Sequence, residues 1–178
     1  VNRSESFPPH DPWLSGESLN YYYFGHYLVA FLVRLTAVSP SVGFNLGVAL
    51  FFALCVTTVF ALASALCLAL RGRREGATRA AVLSGLAGVA LAMLVGNLAG
   101  GTEFLQSPAL GGYDWWSPSR VIDGTANEFP FFSFVLADLH AHVMATPFAL
   151  VAVAYALQLA LRGPPSWRGS TPAPLCEL

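Results

Sequence analysis

The sequence has 178 residues, of which 55% are hydrophobic and only 11% charged, and its formal net charge is −1. Soluble domains carry about 25% charged residues, so this deficit, together with long uncharged runs, makes lipid the expected solvent. The near-neutral charge offers no electrostatic footprint for nucleic acid. Three cysteines with no CxxC spacing exclude a disulfide framework and a cysteine-based metal knuckle.

The first distinctive segment is Pro8-Pro9-His10-Asp11-Pro12-Trp13-Leu14-Ser15-Gly16. Its prolines and glycine fix a turn-rich loop. Such a loop can hold Asp11 toward a substrate as a general base, with His10 and Trp13 as candidate substrate contacts. The plainer alternative is that Asp11 caps a turn.

An apolar stretch from Tyr21 to Val38 follows, aromatic at its start and interrupted by His26 and Arg34. Tyr21, Tyr22, Tyr23, Phe24 and Tyr27 are amphipathic rings suited to the headgroup level, and Arg34 can snorkel there. We therefore read about 21–38 as an interfacial amphipathic helix, with Tyr22 a candidate substrate contact. If the stretch crossed the bilayer instead, the Asp11 loop would lie on the opposite face from the histidines discussed below.

Gly43 to Leu70 and Ala80 to Ala99 contain no charge and have the length a spanning helix needs. They set predicted spans at about 43–70 and 80–99. Arg71, Arg73, Arg74 and Arg79 lie between them, and Arg162 and Arg168 follow the last apolar stretch. The positive-inside rule places the 71–79 turn in the cytoplasm and the motif-bearing loops outside the cell membrane. The shortness of that turn predicts an antiparallel hairpin. Ala81, Gly85, Gly88, Ala92 and Gly96 form a small-residue stripe suited to close helix packing.

The loop from Gly100 to Glu128 holds Trp115, Trp116 and Arg120. An Arg among aromatics at headgroup level suits a lipid phosphate or pyrophosphate, and it also suits a simple interfacial anchor. Glu128 leads into Phe129-Pro130-Phe131-Phe132, where it is either a helix-start charge or a site carboxylate.

The fourth stretch, Phe131 to Leu161, is predicted as one span. Asp138-Leu139-His140-Ala141-His142 lies near its start. The nineteen residues from Val143 to Leu161 are free of charge and extend about 28 Å as a helix. That about fills the hydrocarbon core, so Asp138, His140 and His142 fall at the boundary, at the height expected of Asn45 and Asn97. On a helix Asp138 and His142 would share a face; in an extended segment all three would project together. Carboxylate and imidazole in this combination can hold a divalent metal or perform acid/base chemistry. A hydrogen-bonded network that merely orients helices is the alternative. Pro147 is expected to kink the helix near Val143.

These elements give an all-α fold, a polytopic transmembrane helical bundle occupying 1–162. A Pro/Ser/Gly-rich tail at 163–178 is expected to be truncated or disordered. The missing initiator Met and the abrupt end are expected of a fragment of a longer protein.

Asp11-Pro12-Trp13, Gly16, Asn20-Tyr21-Tyr22-Tyr23-Phe24-Gly25-His26, Glu128 to Phe134 and Ala137-Asp138-Leu139-His140-Ala141-His142 together resemble the YYY membrane proteins of chloroflexi-like bacteria and archaea, over about Phe7 to Ala160. That resemblance implies a polytopic membrane protein and carries no catalytic residues with it. The family is similar in turn to the GT-C glycosyltransferases, multi-span enzymes that take a sugar from a polyprenyl-phosphate donor. Asp11, Tyr21 to Tyr23 and Arg34-Leu35 echo their order of acidic loop residue, aromatic interfacial helix and Arg-Leu pair. The implied reaction is sugar transfer at the outer face. Asp11 would act as base, Asp138, His140 and His142 would hold a metal or the donor phosphate, and Arg120 would neutralise the leaving phosphate. A lipid or anion carrier and a metal-dependent lipid-phosphate hydrolase are the rivals. The apolar midplane counts against the carrier, because transporters bind at broken helices there.

Overall fold

The computed structural model describes residues 1–162 other than Arg3, Ser15, Tyr22, Arg73 and 107–111. Tyr22 and the 163–178 tail therefore lie outside the described residues. Helix α1 covers Phe24–Thr36, α2 Pro40–Arg71 and α3 Ala77–Val89, the last continuing as a π-helical turn over Ala90–Val95. Helix α4 covers Leu98–Gln106, a 3-10 turn Ser117–Arg120, α5 Pro130–Val135 and α6 Ala141–Arg162.

The start of α2 follows from its sequence. Ser39 accepts a hydrogen bond from Val42 N, and Pro40 takes the first helical position, where its missing N–H costs nothing. Among the described residues, three helices are long and apolar enough to cross a membrane: Pro40–Arg71, Ala77–Val95 and Ala141–Leu161. Only 17% of the apolar window of each is buried inside the protein. Exposing the rest to water would cost roughly 25 cal/mol per Å²; exposing it to lipid costs nothing comparable. The chain is a multi-pass membrane protein with the lipid bilayer as its solvent.

The hairpin of α2 and α3 forms on the predicted small-residue stripe. Ala81 and Gly85 are buried, and Ser64 donates a hydrogen bond to the Ala81 carbonyl at 3.0 Å. Gly85 lies against Phe60 and Ser64, and Gly88 against Ala63 and Val59. The stripe does not continue to Ala92, which is exposed. Helix α6 runs beside α2 in the same direction, with Leu139 at the level of Gly47 and Val143 at the level of Cys55. Arg71, Arg74, Arg79 and Arg162 therefore collect at one end of the bundle, and the long loops collect at the other.

Helix α1 has 13 residues, about 20 Å of helix, which is too short to cross. After a turn at Ala37 (φ 56°) the chain enters α2, and α1 lies back along its first turns. Val33 packs on Gly43 and Val29 on Gly47, while Gly25 meets Met144 of α6. Val29, Val33, Phe51, Leu139 and Met144 form the core where these three helices meet. The N-terminal end of α1 thus stands beside the start of α6, so the Asp11 loop and the histidines occupy the same end.

The fourth apolar stretch departs from its expected form. It divides into α5 and α6 with a non-helical link between them, for reasons given below. Pro147 lies inside α6, which runs from Ala141 through it. Pro147 has no N–H for the carbonyl of Val143, four residues earlier. The buried Cys55 thiol supplies a donor instead, with Sγ 3.4 Å from Val143 O. Cys55→Ala should therefore lower stability by about 1–2 kcal/mol by orphaning that carbonyl, while Cys55→Ser should lose less because its hydroxyl still donates. Denaturant titration in detergent micelles distinguishes them; equal losses would show that the carbonyl gains nothing from Cys55.

Candidate functional site

The site is assembled where α5 hands over to α6. Phe129 is extended and Pro130 opens α5, which leaves Glu128 just outside the helix. At the other end of α5, Ala137 adopts a left-handed conformation (φ 55°). Its N–H bonds to Phe134 O at 3.1 Å and the Asp138 N–H to Ser133 O at 2.8 Å, the Schellman closure of a helix. A residue with a Cβ in that conformation carries about 1–2 kcal/mol of strain, and strain of this kind gathers at functional positions.

Beyond Ala137 the chain is non-helical through His140, so successive side chains diverge. Leu139 enters the core at 1% exposure, while Asp138 and His140 turn to the opposite side. His142 is the second residue of α6. This is neither of the two regular alternatives the sequence left open: it is non-helical for Asp138 and His140, then helical for His142.

His140 Nε2 lies 2.8 Å from Asp138 Oδ2 and 3.0 Å from Glu128 Oε2. The His140 and His142 rings stack with centroids 5.6 Å apart, and His142 Nε2 lies 3.5 Å from the Oγ of fully buried Ser133. Among the described residues, ligand atoms of Glu128, His140 and His142 all fall within 4.8 Å of one another. Glu128 and His140 side chains are sheltered, at 16% and 21% exposure, whereas Asp138 is on the rim at 55%. The metal set expected from sequence was Asp138, His140 and His142. The geometry brings Glu128 into the tight group and leaves Asp138 touching it through His140.

The loop that follows α4 docks on α5 through Trp115, whose ring lies 5.7 Å from that of Phe131. Asn97, expected to join the polar cluster, instead pins this loop. It accepts from Gly100 N at 2.7 Å and donates to Pro118 O at 2.9 Å. Tyr113 donates to Gly100 O at 3.2 Å; burial pushes its phenol above the ordinary value, with the Glu103 and Asp114 charges adding to the effect. Arg120 stacks 3.8 Å over the Trp116 ring and donates to Ser119 O and Oγ at 2.8 and 3.0 Å, a cation–π anchor within the loop. Asn45 is exposed on α2 and takes no part.

The N-terminal loop closes on itself. Leu19 N bonds to Pro9 O at 2.8 Å and Asp11 N to Glu17 O at 3.0 Å. Asp11 Oδ1 accepts from Trp13 N at 2.7 Å and Leu14 N at 3.2 Å, an Asx turn. A cleft of about 580 Å³ opens beside it, lined by His10, Pro12, Trp13, Tyr21, Tyr23 and His26. A second of about 300 Å³ runs from His26 past Val29, Val33 and Phe44 to Leu139. His10 and Trp13 thus face a cavity, while Asp11, Glu128, Asp138, His140 and His142 line neither of the two.

Ser133 escaped the sequence reading. Its relation to His142 exists only because the left-handed turn at Ala137 folds α5 back against the start of α6, and no local pattern announces that turn.

Apolar spans, with arginines at one end and the Glu128, His140 and His142 group at the other, define a polytopic helical membrane protein. The chain matches the family model described as Uncharacterized membrane protein (DUF2298) over residues 1–172, and it belongs to that family. No curated protein and no solved structure matches it.

Proposed function

We propose that this chain carries the site of a GT-C-like transferase that moves a sugar from a polyprenyl-phosphate donor at the outer membrane face. The reading rests on the convergence of Glu128, His140 and His142 at the head of an apolar helix. A lipid-linked donor keeps its tail among hydrocarbon and its phosphate at the boundary, which is the height of this cluster. The similarity to YYY proteins and, through them, to GT-C enzymes supports the same substrate class. The cluster, with Asp138, handles the donor headgroup, and Arg120 offers its remaining guanidinium donors to the leaving phosphate. Asp11 serves as base to the acceptor hydroxyl, with His10, Trp13 and Tyr22 contacting the acceptor. The arginines at the far end of the bundle favour a cytoplasmic location for that end, which leaves the site outside.

One observation favours the hydrolase as a second reading. Asp11 Oδ1 is committed to two backbone N–H groups of its own loop. Water activated at the Glu128–His140 cluster would then replace a hydroxyl acceptor, and phosphate would be released from a lipid.

The test is turnover of a polyprenyl-phosphate sugar by protein reconstituted in liposomes, with and without acceptor. Asp11→Asn should lower transfer by about 10²–10⁴-fold while the variant inserts normally. Retained turnover removes the base role. Phosphate release that needs no acceptor and survives Asp11→Asn replaces the transferase with the hydrolase.

A further inference from the structure

We propose that Glu128, His140 and His142 are the ligands of a divalent transition metal of the zinc class, with Asp138 as a neighbouring carboxylate that balances its charge. The proposal adds an ion to the site on which the transferase reading rests, but its test reads binding rather than turnover, so either can fail alone.

The first ground is electrostatic. Two carboxylate oxygens approach the same nitrogen, His140 Nε2, at 2.8 and 3.0 Å. One N–H can point well at only one of them, and the two anions repel each other. A cation bound by Nε2 and Glu128, with Asp138 beside it on the rim, resolves both conflicts.

The second ground is distance. Ligands about 2.1 Å from zinc stand roughly 3.4 Å apart in a tetrahedron. The three groups already fall within 4.8 Å, so closing the widest pair takes at most about 1.4 Å. His142 is exposed at its position.

The third ground is the outer shell. Metal-bound imidazoles use their second nitrogen or their surroundings to fix ring orientation. His142 Nε2 faces the buried Ser133 hydroxyl at 3.5 Å, which leaves Nδ1 for the ion.

The donor set also selects the metal. Two imidazoles and one carboxylate disfavour magnesium and calcium, which take oxygen ligands, and suit zinc or its first-row neighbours. Three protein ligands leave a coordination position open, as catalytic rather than structural zinc sites do. A phosphate oxygen or a water would take that position.

The experiment uses untagged protein in detergent micelles, stripped by chelator, dialysed against buffered zinc and assayed for metal per chain. Wild-type protein should retain stoichiometric zinc. Glu128→Gln and His142→Ala should each weaken binding by about 100-fold or more, and Asp138→Asn by about 10-fold. Cobalt-loaded protein should show visible ligand-field absorption that His140→Ala abolishes. Wild-type zinc affinity in Glu128→Gln would overturn the proposal. That variant is nearly isosteric and decides the matter even if the histidine variants fail to fold, which their thermal transitions report.

Discussion

Gly85→Leu should come close to dismantling the α2–α3 hairpin, with a stability loss of about 3 kcal/mol in micelle unfolding. A Cβ at Gly85 would stand 2.5 Å from both Phe60 Cδ2 and Ser64 Oγ, and leucine adds three more carbons beyond it. Overpacking a close contact costs about 1–3 kcal/mol and sometimes more. In lipid there is no hydrophobic drive to hold displaced helices together, so small residues that permit backbone approach supply much of the association. The displaced Ser64 would also lose its bond to the Ala81 carbonyl. Ala87→Leu makes the control, because Ala87 is exposed on the same helix and should change stability by no more than about 0.5 kcal/mol. If the two leucines unfold alike, the hairpin does not depend on close approach at Gly85.

The contrast between these two positions also marks what a sequence can disclose about such a protein. Stretches of twenty uncharged residues report their solvent directly, because a charge in hydrocarbon costs kilocalories and its absence is countable. The stripe through Ala81, Gly85 and Gly88 was legible for a related reason: helical periodicity fixes which residues share a face. The break in the fourth apolar stretch was not legible. Phe131 to Val135 and Ala141 onward are equally apolar, and the element that separates them is an alanine in a conformation normally left to glycine. Propensity argues against that turn, and only the packing of Leu139 into the core with Val29, Val33, Phe51 and Met144 over-determines it.

The composition of the site followed the same division. Asp138, His140 and His142 stood out because ionisable groups beside an apolar run are costly. Glu128 looked ambiguous because it lies ten residues earlier in a loop, and its approach to His140 depends on how α5 folds back. Asp11 shows the converse. Its proline-rich frame implied a turn-rich loop, and its Oδ1 is spent within that loop's own turn, so such a frame alone does not aim a carboxylate at a substrate.

The position of Glu128 can be traced one step further back, to Gly96, and Gly96→Ala should disturb the site from a distance. The π turn ends there, with Gly96 N bonded to Leu91 O at 3.1 Å and φ 63°, ψ −74°. A residue with a Cβ is strained in that conformation by about 1–2 kcal/mol. The added atom would also stand 2.7 Å from Phe129 Cδ2 and 2.9 Å from its Cβ. Phe129 is buried at 4% exposure, so it can move only by carrying its chain neighbours, Glu128 and Pro130, with it. We expect Gly96→Ala to lose about 2–3 kcal/mol of stability from strain and overpacking together, and about 10–100-fold in zinc affinity, the effect typical of removing support from a metal ligand. Gly85→Ala weakens the α2–α3 contact, where its Cβ meets Phe60 and Ser64 rather than Phe129, so it should keep wild-type affinity at comparable destabilisation. Measuring zinc affinity and thermal unfolding on both variants separates the two causes. Equal affinities would mean that Glu128 is held in place by something other than the packing of Phe129 on Gly96.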